Sequence, residues 1–350
     1  MERIVFKIQS WPRRRPQHRR SLRRTLVRSF LGSAKTRHVG INNQSAILLM
    51  KPVTTFLSFL IGAMVACSPP KAATADLYQS STFTADNSFT TGAEGPAVDK
   101  DGNVYAVNFQ KESTICKLDK QGKGGIFIEL ADSSDGNGLR FNSKGDLLVA
   151  DYTRHNILKV DMATKQVSVY AHNATMNQPN DIAIDSKDRL YASDPNWKAG
   201  TGRIWRIDND GKATILEDNM GTTNGIEVSP DEKHLYVNES VQRKVWVYDL
   251  SSDGNIGNKR LLIEFPDFGF DGMRCDVKGN LYMTRYGKGT VVKVSPEGKI
   301  LREINLTGKN CSNICFGGKD GRTAYVTLQD TKNMETFRVE DAGREWKMMQ

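Results

Sequence analysis

Between residues 94 and 328 the chain alternates apolar and polar residues in short runs, and the runs recur in matched sets. "NGIEVSPDEKHLYVNE", from Asn224, is one set. Ile226 and Val228 alternate with polar neighbours, a turn follows, and Leu235-Tyr236-Val237 begins a second run, the pattern of two paired strands. Equivalent sets begin "EGPAVDKDGNVYAV" at Glu94, "NGLRFNSKGDLLVAD" at Asn137, "NDIAIDSKDRLYASD" at Asn180, "DGMRCDVKGNLYMTR" at Asp271 and "SNICFGGKDGRTAYVT" at Ser312, so successive openings lie 43, 43, 44, 47 and 41 residues apart. A third strand follows in most copies ("TICKLD", "NILKVD", "RIWRID", "KVWVYD", "TVVKVS"), and a fourth, such as "ATILED", is weaker. No helical period competes. Six four-stranded units of this length predict an all-β six-bladed propeller over residues 79–350. The last copy is short of strands, and residues 76–92 are expected to supply its outer strand and close the ring.

In a propeller the first strand of each blade lines the central channel, so the six opening residues should meet at one mouth: Glu94, Asn137, Asn180, Asn224, Asp271 and Ser312. Two carboxylates and three amides without Lys or Arg require a cation. Hard oxygen donors without His or Cys favour Ca2+, with Mg2+ and Mn2+ as alternatives. Asn-Gly and Asp-Gly are also turn formers, and for any single copy a turn explains them. A turn explains neither Glu94 nor Asn180 followed by Asp181. The second strands return to the same mouth and end at Asn108, Asp151, Asp194, Glu239, Arg285 and Leu328. These are expected either to rim the site, with Arg285 orienting a carbonyl or anionic ligand, or to be solvated loop charges.

Charge changes the picture at the N-terminus. Residues 1–49 hold twelve Lys/Arg against one acid, Glu2; the chain's net charge is +9, so residues 50–350 sum to −2. The basic balance belongs to the leader and gives no reason to expect nucleic-acid binding. The leader reads as a mis-assigned start or a processed segment. From Met50, "MKPVTTFLSFLIGAMVAC" has a basic residue, an apolar run too short to span a bilayer, and Cys67 behind a small residue. This predicts a signal peptide over 50–66, a lipidated Cys67, a flexible tether over 67–78, and a membrane-anchored protein facing the periplasm; the alternative is a soluble secreted or periplasmic protein. Cys116, Cys275, Cys311 and Cys315 have no zinc spacing and are expected to be core thiols or to form one cross-blade disulfide. No G-x-S-x-G or HExxH motif occurs, and beyond the leader only His155, His172 and His234 remain, none in either column.

"EGP", "PND", "NG…SPDEKHLYV", "DGM…D..GNLY" and "FGGKDGRTAYVT", in order at blade spacing over residues 90–330, resemble the SMP-30/gluconolactonase/LRE-like family. The resemblance implies a six-bladed propeller with one divalent cation at the channel, Zn2+ joining the candidates, and metal ligands at Glu94, Asn180, Asn224 and Asp271, with Asn180 binding through substrate or water. It also implies that Asp271 is the base or nucleophile. Gln178 stands where sugar-lactone members often have Arg, and Trp197 lies in a loop, "SDPNW", similar to one in bacterial gluconolactonases. The expected function is a metal-dependent lactonase-type hydrolase, monomeric, acting on a small lactone or ester, with Asn180, Asp194, Glu239 and Arg285 contacting substrate. The alternative is a non-catalytic binding propeller with a structural cation.

Overall fold

The computed structural model describes residues 76–131 and 133–350; the expected leader, the signal segment, Cys67 and the tether as far as residue 75 lie outside the described residues. The described strands form six four-stranded antiparallel sheets, the propeller that the repeat spacing predicts. In the fourth blade, Thr223–Val228 lines the channel, His234–Glu239 and Lys244–Leu250 follow outward, and Ile256–Glu264 is the edge. Five blades use consecutive strands. The sixth takes its outer strand from the other end of the chain: Ser81–Thr82 pairs with Asn333–Arg338, Ser81 opposite Thr336. This is the closure expected of residues 76–92.

The cores lie between blades. One cluster joins Val107 and Ile115 of the first blade to Leu139 and Val149 of the second; another joins Ile204 and Met220 of the third to Val237 and Tyr248 of the fourth. Both faces of each inner sheet are therefore covered, which is why the second and third strands read as nearly continuous apolar runs. Outer strands such as Ile300–Asn305 bury little, hence their weak pattern. Cys116, Cys275, Cys311 and Cys315 are buried free thiols in these cores, so the cross-blade disulfide does not form.

The opening dipeptides are not turns. Regular pairing slips at Glu94, between Gly136 and Leu139, between Thr223 and Ile226, and between Cys311 and Ile314. Each slip is a bulge that re-aims the opening side chain into the channel. The residue after the opening one then faces the next blade's backbone. The Gly138 N–H donates to the Asn180 carbonyl (2.8 Å), Gly225 to Asp271 (3.0 Å) and Gly272 to Ser312 (2.6 Å). A Cβ at Gly225 would lie 2.6 Å from the Asp271 carbonyl oxygen, and one at Gly272 would lie 2.0 Å from Asn313 Oδ1. Glycine is required there by close approach of blades, not by turn geometry.

One element has no counterpart in the repeat pattern. The short helix Arg344–Met348 closes the far end of the channel, with the Arg344 guanidinium bonded to the Ile184 carbonyl and a Glu345 carboxylate oxygen accepting from the Phe316 N–H. Among the described residues, no helix is long and apolar enough to cross a membrane.

Candidate active site

Glu94, turned by its bulge, and Asp271, just ahead of the fifth blade's inner strand, meet at the same mouth, where both are buried. Burial pushes Glu94 up to about 7, helped by Asp181 and opposed by its bond from the Gly95 N–H and by Asn313 and Arg274. Burial, then the charge of Glu94, pushes Asp271 well above the usual carboxylate range, and the two carboxyls lie within hydrogen-bonding reach of each other. Like charges so placed cannot both ionise without a counter-charge.

Two amides complete the mouth. Asn224 Nδ2 donates to Ser240 Oγ (3.1 Å), and Ser240 Oγ donates to the Phe270 carbonyl beside Asp271. This leaves Asn224 Oδ1 buried without a hydrogen-bond partner, and Asn180 Oδ1 is in the same condition. Orphaned buried oxygens are rare because each costs about 1–3 kcal/mol. Among the described residues no three His, Cys, Asp or Glu side chains gather into a metal-holding group. The donor set here is instead two carboxylates and two amide oxygens, which suits a hard divalent cation.

The charge deeper in the channel points the same way. Arg140, Arg274 and Arg344 face Asp181, Glu227 and Glu345: Arg274–Asp181 at 3.0 Å, Arg274–Glu345 at 3.4 Å, Arg344–Glu227 at 3.5 Å and Arg140–Glu227 at 3.6 Å. Arg344 also meets Glu232 at 3.1 Å, so three cations face four anions and no cation is left over. The carboxylates of Glu94 and Asp271 remain, and a charge of +2 neutralises them.

The rim differs from expectation. Asp194 is fully buried; its oxygens accept from the Asn177 N–H (2.8 Å), the Gln178 N–H (2.6 Å) and the Trp205 indole (2.9 Å). Glu239 accepts from the Gly221 N–H (2.7 Å). Arg285 is sealed in the fifth blade, its guanidinium 4.1 Å from the Phe265 ring centre and 2.8 Å from Asp267. These three side chains, expected to contact substrate, instead anchor the loop that leads into their blade's inner strand, as Asp151 also does, while Asn108 donates to Gly92 within the first blade's inner strand. The residues facing the mouth are one step later: Tyr152, Ser240, Tyr286 and Gln329. Asn137 turns its Nδ2 to the Asn180 carbonyl (3.0 Å), which positions a neighbouring opening residue. Asn313, one past Ser312, donates to Glu94. Strand alternation around a bulge carries the signal for these residues, but the size of the slip cannot be read from the chain.

The sequence profile of the SMP-30/Gluconolactonase/LRE-like region matches residues 92–330. The chain belongs to this family. A gluconolactonase from Zymomonas mobilis is 28% identical over 287 residues, covering 72% of this chain and 79% of that one. A 6-deoxy-6-sulfogluconolactonase from Pseudomonas putida is 30% identical over 154 residues, covering 42% and 53%. In three dimensions the chain superposes on a calcium-binding protein, regucalcin, from Agrobacterium tumefaciens, with TM-score 0.66 and 22% identity over 75% of this chain and 95% of that one. That structural likeness shows the shared fold. The family match covers all six opening residues and all four expected metal ligands.

Proposed function

We propose that the protein is a divalent-cation-dependent hydrolase that opens a lactone or a related ester. The observation that carries this is the facing pair Glu94 and Asp271 beside two orphaned amide oxygens, and relatives named as lactonases support it. The cation would be held by Glu94, Asn180, Asn224 and Asp271, Ca2+ first among the candidates and then Mg2+, Mn2+ or Zn2+. When bound, it supplies Lewis-acid polarisation of the scissile carbonyl. Asp271 serves also as the base, its carboxylate oxygen taking the proton of the attacking water and returning it to the leaving alkoxide. Glu94, oriented by Asn313 and the Gly95 N–H, would be kept anionic by the bound cation and would hold the charge balance. Asn180, its carbonyl held by Asn137, presents its amide to the substrate carbonyl.

The test is a lactone and aryl-ester panel on chelated protein reloaded with each divalent metal. Turnover should vanish on chelation and return with calcium. Asp271→Asn should fold and lose at least roughly 10²-fold in turnover, the scale of a general base, with Asn137→Ala losing much less. Tight metal binding with no turnover on any substrate would leave a binding propeller in place of a hydrolase. We also propose, from the Met50–Cys67 sequence alone, a lipid-anchored periplasmic location.

A further inference from the structure

One residue before the column that runs from Asn108 to Leu328 lies another: Val107, Ala150, Ser193, Asn238, Thr284 and Thr327. Two of these are apolar and three carry hydroxyls; Asn238 is the amide. It is fully buried, and its Nδ2 donates from the fourth blade to the fifth, to the main-chain carbonyl of Asp271 (2.7 Å). The amide atom that close to a carbonyl oxygen is the NH2, so the bond itself sets which way the amide points. A Cβ at Gly225 would lie 2.5 Å from that nitrogen, so the glycine makes room for the amide as well as for the Asp271 carbonyl.

Asp271 depends on such bonds. It lies just ahead of the strand Met273–Cys275, outside that strand's regular pairing. Its N–H donates to the Thr284 carbonyl (3.1 Å), and its carbonyl accepts from the Gly225 N–H (3.0 Å) and from Asn238. Bonds at both ends fix its two backbone dihedrals and leave the carboxylate only its own rotamers. Asn238 Oδ1 is buried without a hydrogen-bond partner. Such orphans are rare, and the first and second blades fill the same position with Val107 and Ala150, which leave none. The blade fold therefore does not call for the amide. The fifth blade shows that a hydroxyl here also reaches the next blade: Thr284 Oγ1 lies 2.8 Å from the carbonyl of Ser312, the opening residue of the sixth.

We propose that Asn238 is a positioning residue for Asp271: it locks the main chain from which the Asp271 carboxylate is presented to the cation and to the reacting water. The proposal rests on the cation-dependent hydrolase reading above and adds a residue to it. A carboxylate that must both hold a cation and take a proton needs partners that fix its geometry. Asn238 supplies that support through the backbone, from a neighbouring blade.

The experiment measures calcium affinity by calorimetry, kcat and KM at saturating calcium for a lactone that wild type turns over, and the melting of each variant. Asn238→Val should weaken calcium binding roughly tenfold or more and lower kcat by a similar factor, with KM little changed. Asn238→Thr, which has the same shape and restores a donor, should recover most of both. In an Asp271→Ala background Asn238→Val should cost no further calcium affinity, because the residue acts through Asp271. If Asn238→Val does not fold, Asn238→Ala takes its place. Unchanged Kd and kcat in the folded variant, Asn238→Thr no better than Asn238→Val, or an equal loss in the Asp271→Ala background overturns the proposal. If wild type binds calcium but turns over no lactone, the hydrolase reading fails and the affinity series decides the positioning role by itself. If it turns over lactone without binding calcium, the kcat series decides. Wild type that does neither overturns both.

Discussion

Removing the cation should make the fold more stable in mild acid than at neutral pH. In chelated protein Glu94 is buried beside Asp271, and burial lifts it from its ordinary 4.5 to about 7. Between those values the native state holds a proton that the unfolded chain has released, so unfolding free energy falls as pH rises. At about 1.4 kcal/mol for each pH unit, the loss from this one group is roughly 3 kcal/mol. Asp271 shifts in the same direction and adds to it. Asp135, raised to about 6 by burial and then by Glu112, contributes a smaller slope of the same sign. The assay is urea denaturation at steps from about pH 4.5 to 8, on protein stripped with chelator and exchanged into metal-free buffer. With saturating calcium the slope should flatten or reverse, because both carboxylates are then ionised and bound, and the ligand adds about 2.7 kcal/mol at a hundredfold excess over Kd. Glu94→Gln supplies the control: its metal-free loss of stability between about pH 4.5 and 7 should shrink by at least the roughly 3 kcal/mol assigned to Glu94, since Asp271 also relaxes when its neighbour's charge is gone. Parallel curves with and without calcium, or a Glu94→Gln slope equal to wild type, would refute the reasoning.

Ser240→Ala removes the group that fixes the Asn224 amide and ties it to the carbonyl beside Asp271; calcium affinity measured by calorimetry should fall roughly tenfold or more, and an unchanged Kd would show that Asn224 needs no such support. Cys67→Ala should abolish lipid labelling in cells and move the protein from membrane to soluble fractions; wild-type protein that is never labelled would remove the anchor.

The blades were legible because a propeller repeats its burial pattern. Ile226 and Val228, then Leu235 and Val237, face two neighbouring blades in turn, and the same alternation recurs with every blade. The opening column was legible because Glu94, Asn180, Asn224 and Asp271 fall at equal positions in their repeats, the first and third at bulges and the other two just ahead of regularly paired strands. The rim was misplaced by one residue. Asp194 and Arg285 look like site groups because they are charged and lie at a strand end. Nothing in the chain says that one will be consumed by two backbone N–H groups and an indole, the other by a carboxylate and two aromatic rings. The five-residue helix at Arg344 is too short to show a period. Its hold on the channel comes from partners in five different blades, a relation no local pattern records.

That helix bears on why the cation site is built as it is. A buried ion network is costly unless every charge is met, and along this channel the far end is met by protein alone: Glu345 stands against Arg140 and Arg274, and Arg344 against Glu227. The near end is left two charges short. Placing an arginine there would have completed the set and closed the mouth, as it does beneath. Leaving Glu94 and Asp271 uncompensated, with two buried amide oxygens unbonded, keeps one position at which, on the function proposed above, a dication would complete the set. On the function proposed above, the same incompleteness that would make the metal-free protein sensitive to pH would place a Lewis acid beside a carboxylate base.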